Sequence, residues 1–299
     1  MLYGILVIVL SVLLTALVAG NNMSAAVGTL IGSRIVSRSN GILIGILGFS
    51  AGLLLQGESL HGTANVLVPR SDPLISFALL VALAIFALAT YLRVPLSLIM
   101  ALVGVSVGMS IKLGYSLDVP LVSVIAATWV LAPIISITVA FLLNRGFIQF
   151  KPRNVWRFAL GLKISLILVS FLTAFTLGAN TLGFIEQVSG LRGFSSLYLI
   201  GGIVAGSVFL SRGVIRRVGQ EMYLMRYSNA FVSLVVSSVL VEGATLFGIP
   251  LSNTQTLTSS VFGTGLSYRN KIIEMKPFLI TVATWVISPL LGIGLGFLV

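Results

Sequence analysis

The segment Ala244–Ser252 reads ATLFGIPLS, and a near copy of it, ATYLRVPLS, occupies Ala89–Ser97. A second pair of similar segments follows at nearly the same spacing, with ATWVLAPII at Ala127–Ile135 and ATWVISPLL at Ala283–Leu291. Similarity between two apolar helices often arises by chance. Here, however, the matches come in the same order, and one pair shares Thr-Trp and Pro at equal spacing. The pattern indicates that one structural unit occurs twice in the chain.

A third pair of segments places the two copies along the chain. AGNN at Ala19–Asn22 and GANT at Gly178–Thr181 have almost the same offset as the other pairs. We therefore predict two transmembrane repeats, the first at residues 1–147 and the second at residues 154–299. A basic linker at residues 148–153 joins them.

The composition is that of a membrane protein. Hydrophobic residues make up 57% of the chain and charged residues only 8%, whereas a soluble domain carries about 25% charged residues. Apolar runs of about 17–25 residues recur, and each is long enough to cross a bilayer as a helix. The sequence therefore predicts an all-α polytopic protein of the cell membrane, with the lipid bilayer as its surroundings. The first run, Leu2–Ala19, lacks a basic segment before it, so we interpret it as a retained helix.

Basic residues in the loops predict how the repeats are oriented. The linker region carries Arg145, Lys151 and Arg153, so the positive-inside rule places it in the cytoplasm. Residues 56–72 contain one Lys or Arg, whereas the equivalent residues 211–227 contain four. This bias is expected if the second repeat is inverted relative to the first, with both termini outside. We attribute the net charge of +11 to basic loop residues, which fix the topology and contact anionic lipid headgroups. We therefore expect no nucleic-acid partner.

Inversion requires an odd number of net crossings in each repeat. Each half shows about six apolar segments, so we predict about five net crossings per repeat plus broken or re-entrant helices. The Gly/Asn-rich and Pro-Leu-Ser segments are the candidate breaks, because their sequences interrupt a regular helix. At membrane depth, non-helical backbone survives only where it is buried in protein or lines a cavity.

Polar side chains cluster at these candidate breaks. In GIPLSNTQTLTSS, Gly248–Ser260, Pro250 suits the first turn of a helix and Ser252 can cap it. Free N–H groups at a helix N-terminus attract anions, so we predict a site for a small anion that accepts many hydrogen bonds. Helix packing through small residues such as Gly28 and Gly32 is the alternative interpretation. The predicted substrate-binding residues are Asn21, Asn22, Ser24, Ser97, Asn180, Thr181, Ser252, Asn253, Thr254 and Gln255.

Two carboxylates in membrane segments, Glu242 and Glu186, are candidates for proton coupling, because ionisable groups there are costly and often functional. Snorkelling towards the interface is the alternative for both. The single histidine, His61, falls in a short loop, where solvation is the expected state. The chain has no cysteine, and its sequence holds no phosphate-cradling, metal-binding or nucleophilic motif. We therefore expect neither an enzyme nor a cofactor.

Two segments, AGNNMSAAVGTLIGS at Ala19–Ser33 and FGIPLSNTQTLTSSVFGTG at Phe247–Gly265, resemble the inorganic phosphate transporter (PiT) family, which includes a sulfate-permease branch. The resemblance covers essentially the whole chain, including its duplication. The family's Gly-x-Pro-x-Ser-Thr-Thr-His motif falls on residues 248–255. In the first repeat, only Pro95 and Ser97 of that motif remain.

The family's Gly-Ala-Asn-Asp motif shows where this chain departs from the family. Asn21 and Asn180 match the family's Asn, but Asn22 and Thr181 stand where the family has Asp. The resemblance associates those Asp residues with cation coupling and anion binding. Because amide and hydroxyl groups supply oxygens without charge, we expect at most a weak Na⁺ site at Asn22 and Thr181. The coupling ion, Na⁺ or H⁺, is left open.

The resemblance implies a secondary active transporter of a tetrahedral inorganic oxyanion that works by alternating access. Phosphate carries a P–OH donor and favours an acceptor, whereas sulfate offers only acceptors, so the loss of two Asp residues shifts the site towards sulfate. We predict inorganic phosphate as the substrate and keep a proton-coupled sulfate permease as the alternative. A non-transporting membrane scaffold is a further alternative, and convergence of the two polar clusters on one cavity would argue against it. The sequence leaves the oligomeric state open, with a homo-oligomer among the options.

Overall fold

The structure is a computed structural model that describes residues 2–69, 71–92, 96–211, 227–268 and 275–299. Pro95 and the basic residues counted in the loops lie outside the described part of the chain; the latter are Arg70, Arg212, Arg216, Arg217 and Arg226. The described residues form helices joined by short connections.

The described part of the first repeat contains six α-helices: α1 (Leu2–Gly32), α2 (Arg38–Gln56), α3 (His61–Leu67), α4 (Asp72–Leu92), α5 (Leu98–Leu113) and α6 (Val119–Gln149). The described part of the second repeat contains α7 (Val155–Leu177), α8 (Gly183–Ser189), α9 (Ser196–Ala205), α10 (Tyr227–Leu246), α11 (Asn253–Leu266) and α12 (Met275–Gly296). Short 3₁₀ turns lie at Gly57–Leu60 and Gly193–Ser195, and π-helical turns at Gly178–Leu182 and Gly206–Leu210.

Eight stretches of the described chain are helical, long and apolar enough to cross a membrane, four from each repeat. They confirm the predicted all-helical, multi-pass membrane class. The helices α5 and α11, which follow the Pro-Leu-Ser segments, are shorter, with 16 and 14 residues. The number of net crossings and the inverted orientation of the repeats stay predictions.

The packing partners of the two repeats correspond to one another. Helix α1 packs on α9 and α7 packs on α2, while α5 packs on α12 and α11 packs on α6. A Cβ atom added at Gly108 would lie 2.2 Å from the carbonyl oxygen of Ile293, and one added at Gly263 would lie 2.3 Å from that of Ile137. Such reciprocal contacts are expected of two repeats related by a pseudo-two-fold axis.

Only one of the two kinds of predicted break is a break in the structure. The Pro-Leu-Ser segments are non-helical at residues 96–97 and 249–252. The residue Gly248 has φ +68° and ends α10 in a left-handed conformation that glycine adopts at low cost.

The Gly/Asn-rich segments, in contrast, remain helical, and the prediction that they break the helix is wrong. Helix α1 runs through Asn21 and Asn22 without interruption. In the second repeat, the π-helical turn Gly178–Leu182 joins α7 to α8. The glycines there serve close packing instead, because a Cβ at Gly178 would lie 2.1 Å from the carbonyl oxygen of Phe49.

The histidine also differs from expectation. His61 begins α3 and is half-buried, and its ring contacts the guanidinium of Arg192 and the amide of Asn65. The contact with Arg192 ties the first repeat to the second.

Candidate functional site: a cavity between the two helix breaks

The two helix breaks are built alike. Ser97 is the N-cap of α5, and its hydroxyl accepts from the backbone N–H of Met100 at 3.4 Å. Ser252 is the N-cap of α11, and its hydroxyl accepts from the backbone N–H of Gln255 at 3.4 Å. Both serines have extended backbone angles, as N-cap residues require. Each repeat thus presents a capped helix N-terminus at the end of its Pro-Leu-Ser segment.

Both N-termini open onto one cavity. The cavity has about 270 Å³ of free space, including the space at its mouth. Its lining comes from both repeats: Asn22, Phe86, Leu96, Ser97, Leu98, Ile99, Leu177, Thr181, Ser252, Asn253 and Thr254. Six of these residues are polar and none carries a charge. The polar clusters that the sequence singled out therefore converge.

Several of the lining side chains have hydrogen-bonding capacity left for a ligand. The Nδ2 group of Asn253 is buried without a partner among the described residues, while its Oδ1 accepts from Ser237 at 2.9 Å. Asn22 and Thr181 are 8% and 6% exposed, and neither side chain bonds to a described residue. A buried donor without a partner costs about 1–3 kcal/mol, so a ligand that accepts these donors would gain affinity.

Four of the predicted site residues lie outside this lining. Asn180 is fully buried, and its amide bonds to Thr245, Ile249 and Leu251 instead. Gln255 donates to the carbonyl oxygen of Trp129 at 2.8 Å. The remaining two residues, Asn21 and Ser24, lie next to the cavity residue Asn22 on α1, where the hydroxyl of Ser24 donates to the carbonyl oxygen of Asn21 at 3.3 Å.

Asn180 shapes the second break from behind. Its Nδ2 donates to Thr245 Oγ1 at 2.8 Å and to the carbonyl oxygen of Ile249 at 3.0 Å, and its Oδ1 accepts from the N–H of Leu251 at 3.0 Å. These bonds satisfy backbone groups that the non-helical segment 249–252 leaves free. Asn180 is therefore a positioning residue for Ser252.

The duplicated Thr-Trp motif also supports the break. The indole Nε1 of Trp129 donates to the carbonyl oxygen of Pro250 at 2.9 Å, and its carbonyl oxygen accepts from Gln255. Sequence comparison detects this tryptophan through the repeated ATWV segments, but gives it no role. Apolar lining residues such as Phe86 and Leu177 carried no sequence signal, because core leucines and phenylalanines are common in any membrane helix.

Neither candidate carboxylate lines the cavity. One oxygen of Glu242 accepts from Gln56 Nε2 at 2.7 Å, and the other is buried without a partner among the described residues. Glu186 is 6% exposed and accepts from Ser196 and Gln187. Glu242 precedes Thr245 by three residues on α10, and Thr245 accepts from Asn180 Nδ2 at 2.8 Å.

Within the described residues, no group of three or more His, Cys, Asp or Glu side chains could hold a metal ion. Asn22 and Thr181, the expected weak Na⁺ site, both line the cavity, one from each repeat. Their oxygens are neutral, so a cation there would lack a counter-charge from these two side chains.

A multi-pass helical protein with two matched helix breaks that meet at a polar cavity has the architecture of a membrane transporter. The chain belongs to the phosphate transporter family, whose sequence profile matches residues 18–190 and 157–296.

Proteins of similar sequence include assigned phosphate permeases and a sulfate permease. A Methanocaldococcus jannaschii protein assigned as a phosphate permease is 25% identical over 98% of this chain and 95% of its own length. A sulfate permease of Bacillus subtilis is 23% identical over 94% of this chain and 82% of its own. The solved structure of a sodium-dependent phosphate transporter has the same fold, with a TM-score of 0.85 over 100% of this chain and 98% of that one, at 15% identity.

Proposed function

We propose that the protein is a secondary active transporter of a tetrahedral inorganic oxyanion, that phosphate is its substrate, and that it works by alternating access. The observation that carries the proposal is the single cavity to which both repeats contribute a capped helix N-terminus and neutral polar side chains. A scaffold whose polar clusters served only to pack helices would have no need to bring them together.

The chemistry of the cavity favours an anion. The first N–H groups of a helix have no partner within the helix, and the helix dipole places partial positive charge there. Two such N-termini and the donors of Asn22, Asn253 and Thr254 surround the same space. Because none of the lining residues is a Lys or Arg, binding comes from neutral donors, which permits release as well as capture.

Sulfate is the second candidate, and the cavity lining itself is what supports it. No carboxylate faces the ligand, so the P–OH donor of phosphate finds only hydroxyl and amide oxygens as acceptors. Sulfate needs no acceptor. Membership of the phosphate transporter family, and relatives that are assigned as phosphate permeases or transporters, support phosphate as the first candidate substrate.

Uptake into proteoliposomes tests the proposal. We expect vesicles that contain the protein to accumulate labelled phosphate, and unlabelled phosphate to compete more strongly than sulfate. The reverse order of competition would make the protein a sulfate carrier. No uptake of either anion, under Na⁺ and pH gradients in both directions, would contradict the proposed function.

Thr254→Val is expected to weaken anion binding by about tenfold. The change keeps the shape of the side chain and removes one donor from the cavity. One hydrogen bond contributes roughly 0.5–1.5 kcal/mol net, or about 1.5–3 kcal/mol when one partner is charged, and ~1.4 kcal/mol corresponds to tenfold. Equilibrium binding of labelled phosphate to the purified protein measures the effect.

The matched control for this change is Ser106→Ala on α5. Ser106 is fully buried and bonds to the carbonyl oxygen of Leu102 at 3.0 Å, outside the cavity. Binding should be unchanged in this variant. Unchanged binding in both Thr254→Val and Asn253→Ala would show that the polar stretch after Ser252 serves packing alone.

We propose that protons take the place of Na⁺ in energising uptake, with Glu242 as the first candidate for the titrating group and Glu186 as the second. With neutral Asn22 and Thr181 in place of acids, uptake should depend weakly on Na⁺ and should increase with an inward proton gradient. Glu242→Gln should remove the response to pH, because one oxygen of this half-buried carboxylate has no partner among the described residues. Exposed Glu58 offers the control variant Glu58→Gln. Steep Na⁺ dependence without any response to pH would refute this assignment.

We propose that the second repeat is inverted relative to the first and that both termini lie outside, a build found in many secondary transporters. In this cysteine-free chain, Glu58→Cys and Lys112→Cys should react with an impermeant thiol reagent added outside intact cells. Arg153→Cys should react only after the membrane is permeabilised. Labelling of Glu58→Cys and Arg153→Cys from the same side would contradict the topology.

A further inference from the structure

A row of polar side chains runs from the cavity along the contact between α10 and α11. The members of this row on α10 are four residues apart, and those on α11 are three or four residues apart. On each helix they therefore share one face. We call this row the polar seam, and it consists of Asn229, Ser233 and Ser237 on α10 and Asn253, Thr256, Ser260 and Thr264 on α11. All seven are at most 3% exposed. At 1.5 Å per residue, the α11 part is roughly 16 Å long.

Hydrogen bonds connect the two sides of the polar seam. The hydroxyl of Ser237 contacts Asn253 Oδ1 at 2.9 Å and Thr256 Oγ1 at 2.7 Å. Further along, Ser233 Oγ lies 3.4 Å from Thr264 Oγ1. At the far end, the hydroxyl of Tyr268 donates to Asn229 Oδ1 at 2.7 Å.

The first repeat has no such seam. When Ser97 is aligned with Ser252, the equivalent positions on α4 and α5 hold apolar side chains: Leu74, Ala78, Ala82, Leu98, Ala101, Val105 and Met109. Ala78 and Val105 are fully buried, as are Ser233 and Ser260. The two hairpins, α4–α5 and α10–α11, thus share their position relative to the cavity and differ in whether their inner contact is polar.

Packing alone does not account for the polar seam. The apolar residues of the first repeat show that this fold closes the equivalent contact without hydroxyl groups. The seam also begins at the cavity, since Asn253 belongs to both. Asn253 Nδ2 is buried with no partner among the described residues, and so is the hydroxyl of Ser259, which directly precedes the seam residue Ser260. Such groups favour water or a ligand over the closed contact.

We propose that the polar seam is the hydrated route between the cavity and the far ends of α10 and α11, and that the route opens when these helices separate. In the closed state Ser237 bonds to Asn253 and Thr256 and Ser233 contacts Thr264, and in the open state water replaces those bonds at small cost. The apolar α4–α5 contact stays dry.

The proposal rests on the proposed transport function but has its own test. Ser233→Cys and Ser260→Cys place thiols in the seam of this cysteine-free chain, and Ala78→Cys and Val105→Cys place them at the equivalent dry positions. Because all four sites are fully buried in this structure, reactivity reports opening. In proteoliposomes exposed on both sides to a small charged methanethiosulfonate, the seam thiols should react at least about tenfold faster, as expected of a more populated open state.

Equal rates at seam and control positions would overturn the proposal, whether or not the vesicles take up phosphate. Faster reaction at the seam without uptake of phosphate or sulfate would support the hydrated route and reject the proposed substrate. Thermal unfolding of each variant confirms that it is folded. If a seam cysteine prevents folding, the pair Ser237→Cys and Ala82→Cys repeats the comparison one helical turn nearer to the cavity.

Discussion

Replacement of Asn180 by alanine is expected to destabilise the protein and to reduce transport at least about a hundredfold. The change leaves the buried N–H of Leu251 and the half-buried carbonyl oxygen of Ile249 without their partner. A fully buried group of this kind costs about 1–3 kcal/mol and a half-buried one less, so the free energy of unfolding should fall by about 1–4 kcal/mol. The segment before Ser252 would shift, and misplacement of a site by about 1 Å can cost on the order of a hundredfold.

The repeat supplies a matched control for this prediction. Asn21 holds the equivalent position on α1, but it is only partly buried, and α1 continues through it as a regular helix. Asn21→Ala should therefore change the unfolding midpoint little. Thermal unfolding in detergent and phosphate uptake measure both effects. Similar midpoints for the two variants would show that Asn180 does not hold the second break.

Gly206→Ala is expected to disrupt the contact between the two repeats. A Cβ at this position would lie 1.9 Å from the carbonyl oxygen of Ala16 on α1. Neither backbone can move without disturbing the helix to which it belongs. Overpacking of this kind typically costs about 1–3 kcal/mol, and occasionally more. The midpoint of thermal unfolding in detergent should fall accordingly.

The control lies on the same stretch of chain. Gly201 on α9 is exposed and has nothing within 4 Å of an added Cβ. Gly201→Ala should be neutral or should stabilise the protein by about 0.5–1 kcal/mol, since alanine favours a helix more than glycine does. If Gly206→Ala unfolds at the wild-type midpoint, the close approach of α1 to the π-helical turn Gly206–Leu210 is not what joins the repeats.

Much of the fold follows from periodic features of the sequence. The length of the apolar runs predicts a multi-pass helical protein, and the repeated segments around Ser97 and Ser252 predict where the helices break. Proline and the following serine act locally, through a missing N–H and a capping hydroxyl, so sequence alone is enough to place them.

The Gly/Asn-rich segments were harder to interpret, because glycine has two uses. It permits a break, and it also permits another helix to approach. At Gly178 the glycine permits close approach of another helix, as the nearby carbonyl oxygen of Phe49 shows. Which of the two occurs depends on a neighbouring helix that is distant in sequence, so composition cannot decide it.

The site was predictable as a cluster but not residue by residue. Asn180 and Gln255 belong to the same polar motifs as Asn22 and Asn253, yet their amides satisfy the backbone of the break and Trp129. The difference lies in the direction of each side chain and in partners such as Thr245, which the motif does not contain. The polar seam could not be predicted from the motif alone, because three of its seven residues, Asn229, Ser233 and Ser237, lie on α10.

The central claim is that one cavity, lined by both repeats, binds the transported anion. Single cysteines at Leu96 in the first repeat and Leu177 in the second test it directly, since both residues line the cavity. Phosphate should slow the reaction of both thiols with a small methanethiosulfonate, with the same half-maximal concentration. The exposed control Tyr115→Cys should be unaffected. Protection at only one of the two positions, or at neither, in protein that transports phosphate would contradict the account.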